Sequence, residues 1–260
     1  MMKKYILSIG AAVLMFSFVG VAYANHSWGG YHWARTTGTF TLKLGDNVGS
    51  VWDAYLGTSS SDWSVSSVLD TAVVAGVTNP KNCRPTSGRV EVCNASYGNN
   101  GWLGIAQIWA SGLHITQGTV KMNDTYFNTA TYNKPSWRQF VMCQEVGHTF
   151  GLDHQDENFN NLNLGTCMDY TNDPSRNDGV GDNLHPNQHD YDELAAIYGH
   201  LDTVNTVRSS ASSLRAGAVD ITDRTEWGKA VRKDSKGNNS VYRRNLGNGE
   251  EVFTFVVWAE

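Results

Sequence analysis

Residues 144 to 154, QEVGHTFGLDH, set a glutamine, a glutamate and two histidines where a folded chain can turn them toward one point. Side chains four residues apart share a helix face. Gln144 and His148 can therefore address the same cation, while Glu145, one step round, reaches a water beside it. Gly151 permits a sharp reversal that returns His154 as a further ligand. Zinc in a hydrolase takes three protein ligands and keeps one position open, where it works as a Lewis acid. Gln144 offers only a neutral amide oxygen, a weaker donor than imidazole, whose hydrogen bonds compete for the same lone pairs. Three outcomes stay open: Gln144 binds through its oxygen, another group completes the site, or the ion is lost and the fold is kept for binding.

The segment that must carry these residues, PSWRQFVMCQEVGHTFG, reads as a helix. Ser136 and Gln139 fit a capping box, Pro135 sits just outside, and Gly151 is placed to end the helix with a left-handed turn. Upstream, GTFTLKLGD from Gly38 alternates like a half-buried strand. DWSVSSVLDTAVVAG spaces Val65, Val68, Leu69, Ala72 and Val73 as an amphipathic helix, capped by Asp62 and stopped at Gly76. RVEVC at 89–93, LGIAQIWA at 103–110 and HITQGTVKMN at 114–123 are β-type runs. PNQHDYDELAAIYGH predicts a third helix with Tyr191, Leu194, Ala195 and Tyr198 on one face and Gly199 as its stop. Strands mixed with a few helices, without regular βαβ alternation, predict an α+β class. From about Leu201 the composition turns small and polar, which predicts a linker over 201–220. The remainder, 221–260, predicts a C-terminal β-hairpin around Gly247-Asn248-Gly249, standing alone or joined to the main sheet.

Glu145, His148, Gly151 and His154, with Met168 in the later CMDY segment, resemble the metzincin zinc metallopeptidases, nearest the matrixin-like branch. Their motif H-E-x-x-H-x-x-G-x-x-H is matched at every lettered position except the first, where Gln144 stands. QHDYDELAAIYG is similar to the closing helix of matrixins, and LGIAQI lies where the family has its substrate-binding edge strand. The similarity runs roughly from Gly38 to Gly199. It implies a metzincin-like catalytic domain over 25–200, a twisted mixed sheet with an active-site helix and a C-terminal helix. It further implies zinc held by His148, His154 and, third, Gln144, with Glu145 as general base and Met168 supporting the site from below. Tyr170, in a Met-x-Tyr turn, is implied as a metal ligand, as a hydroxyl beside the tetrahedral intermediate, or as core packing. The function implied is a secreted zinc-dependent endopeptidase, its peptide paired along Gly104 to Ile108. The alternative, of another class, is an inactive exported protein that keeps the fold to bind peptides or glycans.

The compartment is legible independently. MMKKYILSIGAAVLMFSFVGVAYA, residues 1–24, has two lysines, an apolar run and Ala22-Tyr23-Ala24, the pattern of a cleaved secretory signal. Export takes the formal charge from −5 to −7, because the leader carries Lys3 and Lys4 and no acid. A mildly acidic chain without a basic cluster argues against nucleic acid and against a membrane partner once the leader is gone. Secretion, or a periplasmic location in a bacterium, also favours oxidised thiols. Of three connectivities the nearest-neighbour one is expected, Cys83 with Cys93 and Cys143 with Cys167. A monomer is expected. Asp173, Asp178 and Asp182 lie in a glycine-rich loop that could hold calcium, but the spacing misses the EF-hand and a solvated turn is favoured. Asp153 and Asp156 flank His154 as further carboxylate candidates, with a solvated loop or a hydrogen bond to a histidine favoured over ligation. His26, His32, His114, His185, His189 and His200 match no ligand spacing and are assigned structural or exposed roles. Too few residues separate Ala24 from the first strand for an N-terminal inhibitory segment, and none is a cysteine.

Overall fold

The computed structural model describes residues 26–207 and 223–259, so the expected leader and most of the expected linker lie outside the described residues. The frame is a nine-stranded mixed sheet: β1 His32–Trp33, β2 Phe40–Asn47, β3 Leu69–Ala75, β4 Val90–Ala95, β5 Trp102–Ser111, β6 His114–Asn123, β7 Lys229–Lys233, β8 Asn239–Gly247 and β9 Glu250–Trp258. The order is β3-β2-β4-β6-β5-β9-β8-β7, with β1 beside the start of β6. Strands β1 to β4 and β6 pair in parallel, whereas β5 and the C-terminal meander β9-β8-β7 pair antiparallel. Helices α1 Asp53–Trp63, α2 Asp124–Phe127, α3 Pro135–His148 and α4 Gln188–Ile197 complete an α+β arrangement. Among the described residues no helix is long and apolar enough to cross a membrane.

The layers follow from strand alternation. Even-numbered positions of β5, Gly104, Ala106 and Ile108, turn toward α3, while Ile105 joins Trp102, Trp227, Tyr242 and Val256 in a smaller cluster on the other face. Strand β9 alternates the same way, delivering Phe253, Phe255 and Val257 to the main core. Helix α3 is buried from Trp137 to His148, wedged between this sheet and α1, where the Trp63 indole N–H donates to the Cys143 carbonyl at 3.1 Å. Both expected disulfides are present, Cys83–Cys93 and Cys143–Cys167.

Three expectations need correction. The helix predicted over 62–76 does not form: α1 ends at Trp63, and Leu69–Ala75 is strand β3, paired with β2 from Phe40↔Leu69 to Asp46↔Ala75. The valines that mimic a helical stripe are β-branched, and sheet pairing outweighs the local pattern. Only Leu69 and Thr71 of this strand turn fully inward, and the Thr71 hydroxyl bonds the Ser60 carbonyl and hydroxyl, tying β3 to α1. Second, α3 begins two residues earlier than a Ser136 cap requires. Lys134 is the N-cap, Pro135 is the first helical residue, and Gln139 donates instead to Ser59. The expected closing helix is present: α4 ends at Tyr198 directly before its expected stop Gly199, and it starts with a capping box, Asn187 with Asp190. Third, β5 is no edge strand. Strand β9 pairs along it from Trp102↔Trp258 to Ser111↔Glu250, closing the lane in which a peptide was expected over Gly104 to Ile108.

Candidate functional site

Helix α3 ends at His148, the chain turns through Thr149 and Phe150, and Gly151 takes φ +96°. A Cβ at Gly151 would stand 2.1 Å from the Tyr31 carbonyl oxygen, so both the left-handed backbone and the close N-terminal segment demand glycine here. The reversal returns His154 to His148: their Nε2 atoms are 2.9 Å apart and the rings nearly perpendicular.

The hydrogen-bond partners fix which nitrogens are bare. His148 Nδ1 faces the Leu152 carbonyl at 2.9 Å, and His154 Nδ1 faces the Glu157 carboxylate at 2.7 Å. A carbonyl and a carboxylate only accept, so each neutral ring carries its hydrogen on Nδ1 and turns a lone pair inward on Nε2. Two such lone pairs at 2.9 Å repel unless a proton or a cation lies between them. Burial and the neighbouring His154 push the His148 pKa well below its ordinary value, so His148 keeps its Nε2 lone pair free.

Gln144 lies one turn back on the same face. Its Nε2 donates to the Cys167 carbonyl at 2.7 Å, while its buried Oε1 has no hydrogen-bond partner among the described residues. Glu145 is wholly buried against β5, where a Cβ on Gly104 would stand 2.7 Å from its Oε1. Neither of its oxygens has a well-formed partner among the described residues. Burial raises this carboxyl well above the usual carboxylate range, and the Val257 and Ala106 N–H groups oppose the shift only in part. The unpartnered Gln144 Oε1 and the two inward-facing imidazole nitrogens are the groups that could hold a zinc-type cation here.

The supporting shell is built from nearby loops and the C-terminal strands. Met168 packs under α3 at Gly147, where a Cβ would meet its sulfur at 2.7 Å, and Cys143–Cys167 bolts the same segment to the helix. The Tyr170 hydroxyl donates to the Val256 carbonyl at 3.1 Å and its ring lies against His154, with centroids 4.4 Å apart. Burial raises its pKa well above the ordinary phenol value, and in this arrangement it is a hydroxyl donor. Phe255 stacks on His148 at 4.3 Å, covering the site from the β9 side.

Asp153 and Asp156, read from the sequence as solvated-loop or histidine-bonding carboxylates, divide between those roles: Asp153 Oδ1 lies 3.9 Å from His154 Nδ1, and Asp156 serves its own loop. Asp153 pairs with Arg232 of β7 at 2.5 Å and accepts from the His154 backbone N–H, and Asp156 accepts from Asn158 and Asn161. The residue that supports the His154 ring is Glu157, which the sequence reading missed; an acid three residues past the last histidine was its only signal. Although burial alone would raise Glu157, bonds from His154 and Ser240 and the nearby Arg232 charge hold its carboxyl below the usual range. The calcium candidates do not converge. Asp178 binds Arg176 and the Asn163 N–H, Asp173 binds Ser175, and Asp182 caps Leu184. Conversely, His32, His114 and His200, given no ligand role from the sequence, meet around Asp202. His26 and His189 likewise stack beside Asp190. Only the His200-Leu201-Asp202 spacing hinted at the first group, because β1 and β6 set His32 opposite His114 across the sheet.

No family model matches this chain, and no curated protein matches it. Among solved structures it is similar to high choriolytic enzyme 1, a hatching enzyme zinc-protease from Oryzias latipes, the medaka fish. That match has 10% identity and a TM-score of 0.34, over 65% of this chain and 94% of that one. Two structures of myroilysin are similar at 11% identity and TM-score 0.39, over 67% of this chain and 98% of theirs, and at 12% and 0.33, over 64% and 86%. Likenesses this distant assign no residue a role.

Proposed function

We propose that this chain is a secreted zinc-dependent endopeptidase whose C-terminal hairpin closes its active site. The observation that supports the reading is the pair of buried Nε2 atoms of His148 and His154 facing each other, with the wholly buried carboxyl of Glu145 on the same helix. Gln144, through Oε1, completes the ligand set. Zinc, when bound there, supplies Lewis acidity toward a peptide carbonyl and toward water. Glu145 accepts the proton of the attacking water on a carboxylate oxygen and delivers it to the leaving amine. Tyr170 donates its hydroxyl hydrogen to the oxygen on which negative charge develops, exchanging the Val256 carbonyl for that partner. Both roles require β9 to move away, since Phe255 and Val256 occupy the space a substrate needs. A substrate would then add to β5 as an extended strand in its place.

The same closure favours a second reading, in which the cation is structural and the protein binds without cleaving: Gln144, Glu145 and His148 are each 0% exposed. The experiment that separates the two inserts a site-specific protease sequence within 208–222, cuts it and removes the hairpin under mild denaturant. Zinc content and casein digestion are then measured for the native sequence and for Glu145→Ala. Stoichiometric zinc in both, with digestion only by the native sequence after hairpin removal, supports the enzyme. Zinc in both with digestion by neither supports the structural reading, and absence of zinc refutes both.

A further inference from the structure

On the far side of Gly151 from the α3 site, β1, the start of β6 and the chain after α4 come together. Their juxtaposed residues are His32, His114, His200 and Asp202. We propose that these four residues form a second divalent-metal site, of zinc type, which fastens the N-terminal segment and the end of the α4 segment to the sheet. It uses none of the side chains of the α3 site and stands whatever the activity of that site.

The geometry carries the assignment. Asp202 Oδ1 lies 3.3 Å from His32 Nε2, 3.2 Å from His114 Nε2 and 3.7 Å from His200 Nε2, and His200 Nε2 lies 3.2 Å from His32 Nε2. A tetrahedron with metal–ligand bonds of about 2.0–2.1 Å has ligand–ligand edges of about 3.3–3.4 Å. Three of these four separations fall within about 0.2 Å of that edge, and the fourth exceeds it by a few tenths. One carboxylate oxygen thus faces three imidazole nitrogens, all of the same kind, Nε2.

A proton on His32 Nε2 can be directed to only one of the two groups that face it, Asp202 Oδ1 at 3.3 Å and His200 Nε2 at 3.2 Å. His32 Nδ1 sits 2.8 Å from the Gly30 carbonyl, which only accepts, so the neutral ring has its hydrogen there and a bare lone pair on Nε2. That lone pair points at a carboxylate oxygen and at another imidazole nitrogen. A cation among the four converts each of these contacts from repulsive to attractive. The supports expected of ligands are also in place: the Gly30 carbonyl orients His32, and the Arg35 N–H donates to Asp202 Oδ2 at 3.0 Å, leaving Oδ1 turned inward. Among the described residues the ion-pair partners of Asp202 are these three imidazoles, with no Lys or Arg in their place. Three imidazoles and one carboxylate suit zinc, nickel or copper far better than calcium or magnesium. Four protein ligands close a site for structure rather than catalysis. His200, with its side chain 54% exposed, leaves an entry path for the ion.

The test loads the full chain with zinc at neutral pH, desalts it and measures zinc per chain. It compares the native sequence with His114→Ala/His200→Ala, with Asp202→Asn, and with His148→Ala/His154→Ala. His114 and His200 are partly exposed, so alanine there removes little packing, and circular dichroism of each variant checks the fold. The expected result is that His114→Ala/His200→Ala loses one equivalent relative to the native chain and Asp202→Asn holds that equivalent more weakly, while His148→Ala/His154→Ala retains it. Cobalt(II) in place of zinc should give a tetrahedral visible spectrum in the His148→Ala/His154→Ala chain that vanishes when His114 and His200 are also replaced. Equal zinc in the native and His114→Ala/His200→Ala chains overturns the proposal, as does a native chain that holds no zinc in this cluster by anomalous diffraction.

Discussion

Replacing Glu157 by glutamine probes whether the α3 site is tuned for a cation. Glu157 accepts from His154 Nδ1 at 2.7 Å, from the Ser240 hydroxyl at 3.2 Å, and lies 3.7 Å from Arg232. Its negative charge raises the electron density that His154 presents on Nε2, and its position fixes the tautomer. Glu157→Gln keeps a carbonyl that can accept from Nδ1 but removes the charge, whereas Glu157→Ala removes both. Losing such an outer partner typically weakens metal affinity by about 10- to 100-fold, which is about 1.4–2.7 kcal/mol at 1.36 kcal/mol per decade. The glutamine variant should fall near the low end and alanine near the high end. The assay is zinc competition against a chromophoric chelator at neutral pH, with thermal unfolding as a check on the fold. Asp156→Asn, whose carboxyl serves Asn158 and Asn161, is the control and should leave affinity unchanged. Equal affinities for native, Glu157→Gln and Glu157→Ala would falsify the view that His154 is oriented as a ligand.

Four other outcomes are expected. Gly151→Ala should unfold the chain at much lower denaturant than Gly147→Ala: the first forces a Cβ to 2.1 Å from a backbone oxygen at φ +96°. The second meets Met168 and Trp63 side chains at 2.7 Å, an overpacking cost of about 1–3 kcal/mol. Removing Cys143–Cys167, separated by 24 residues, by double alanine replacement should cost about 3.5 kcal/mol in the loop-entropy description. Removing Cys83–Cys93, separated by 10, should cost about 2.7, both read from denaturant midpoints. The Asp190 carboxyl is pushed from 3.8 up to about 6 by burial, so the folded state binds its proton more tightly than the unfolded state. Its contribution therefore weakens as pH rises from about 4 to 6, by about 3 kcal/mol; Asp190→Asn should lack this slope, and parallel pH profiles would contradict it. Hydrogen exchange at the β5 amides should be slow in the intact chain and quicken once the hairpin is removed, because β9 pairs along the whole of β5.

Much of the frame was legible because its signals are local. The three runs at 89–93, 103–110 and 114–123 each became a strand within about two residues, and the buried helix of α3 was announced by Pro135 and Gly151. Residues 62–76 misled for a physical reason: Val65, Val68, Leu69 and Val73 have helical spacing, yet Val65 and Val73 end exposed while β2 supplies hydrogen bonds along β3. Conversely α1, DAYLGTSSSDW, holds a glycine and three serines and looks like a loop until Leu56 and Trp63 dock on the core. The α3 site was readable where its residues are neighbours in sequence, Gln144 to His154. The His32–His114–His200–Asp202 group was not, since its members are brought together only by the register of β1 on β6.

The hairpin shows why burial decides what sequence alone leaves open. EEVFTFVVW alternates, yet six consecutive residues from Val252 to Val257 are buried, as expected of an inner strand with a packed layer on each face rather than of an appended ribbon. Its backbone bonds to β5 on one side and β8 on the other, so the α3 site cannot open by the motion of one side chain. Moving Phe255 alone would leave Val256 still bonded to Tyr170. Opening must release a whole strand and leave the β5 backbone groups unpaired, a state water alone compensates poorly against packed aromatics. Under the proposed function, an extended peptide entering as β9 leaves would restore that ladder bond for bond. The net cost of exchange then falls on the pockets that Phe253, Phe255 and Val257 fill. Selectivity for an incoming chain should accordingly reside in three alternate apolar side chains facing α3, the positions through which β9 itself is held.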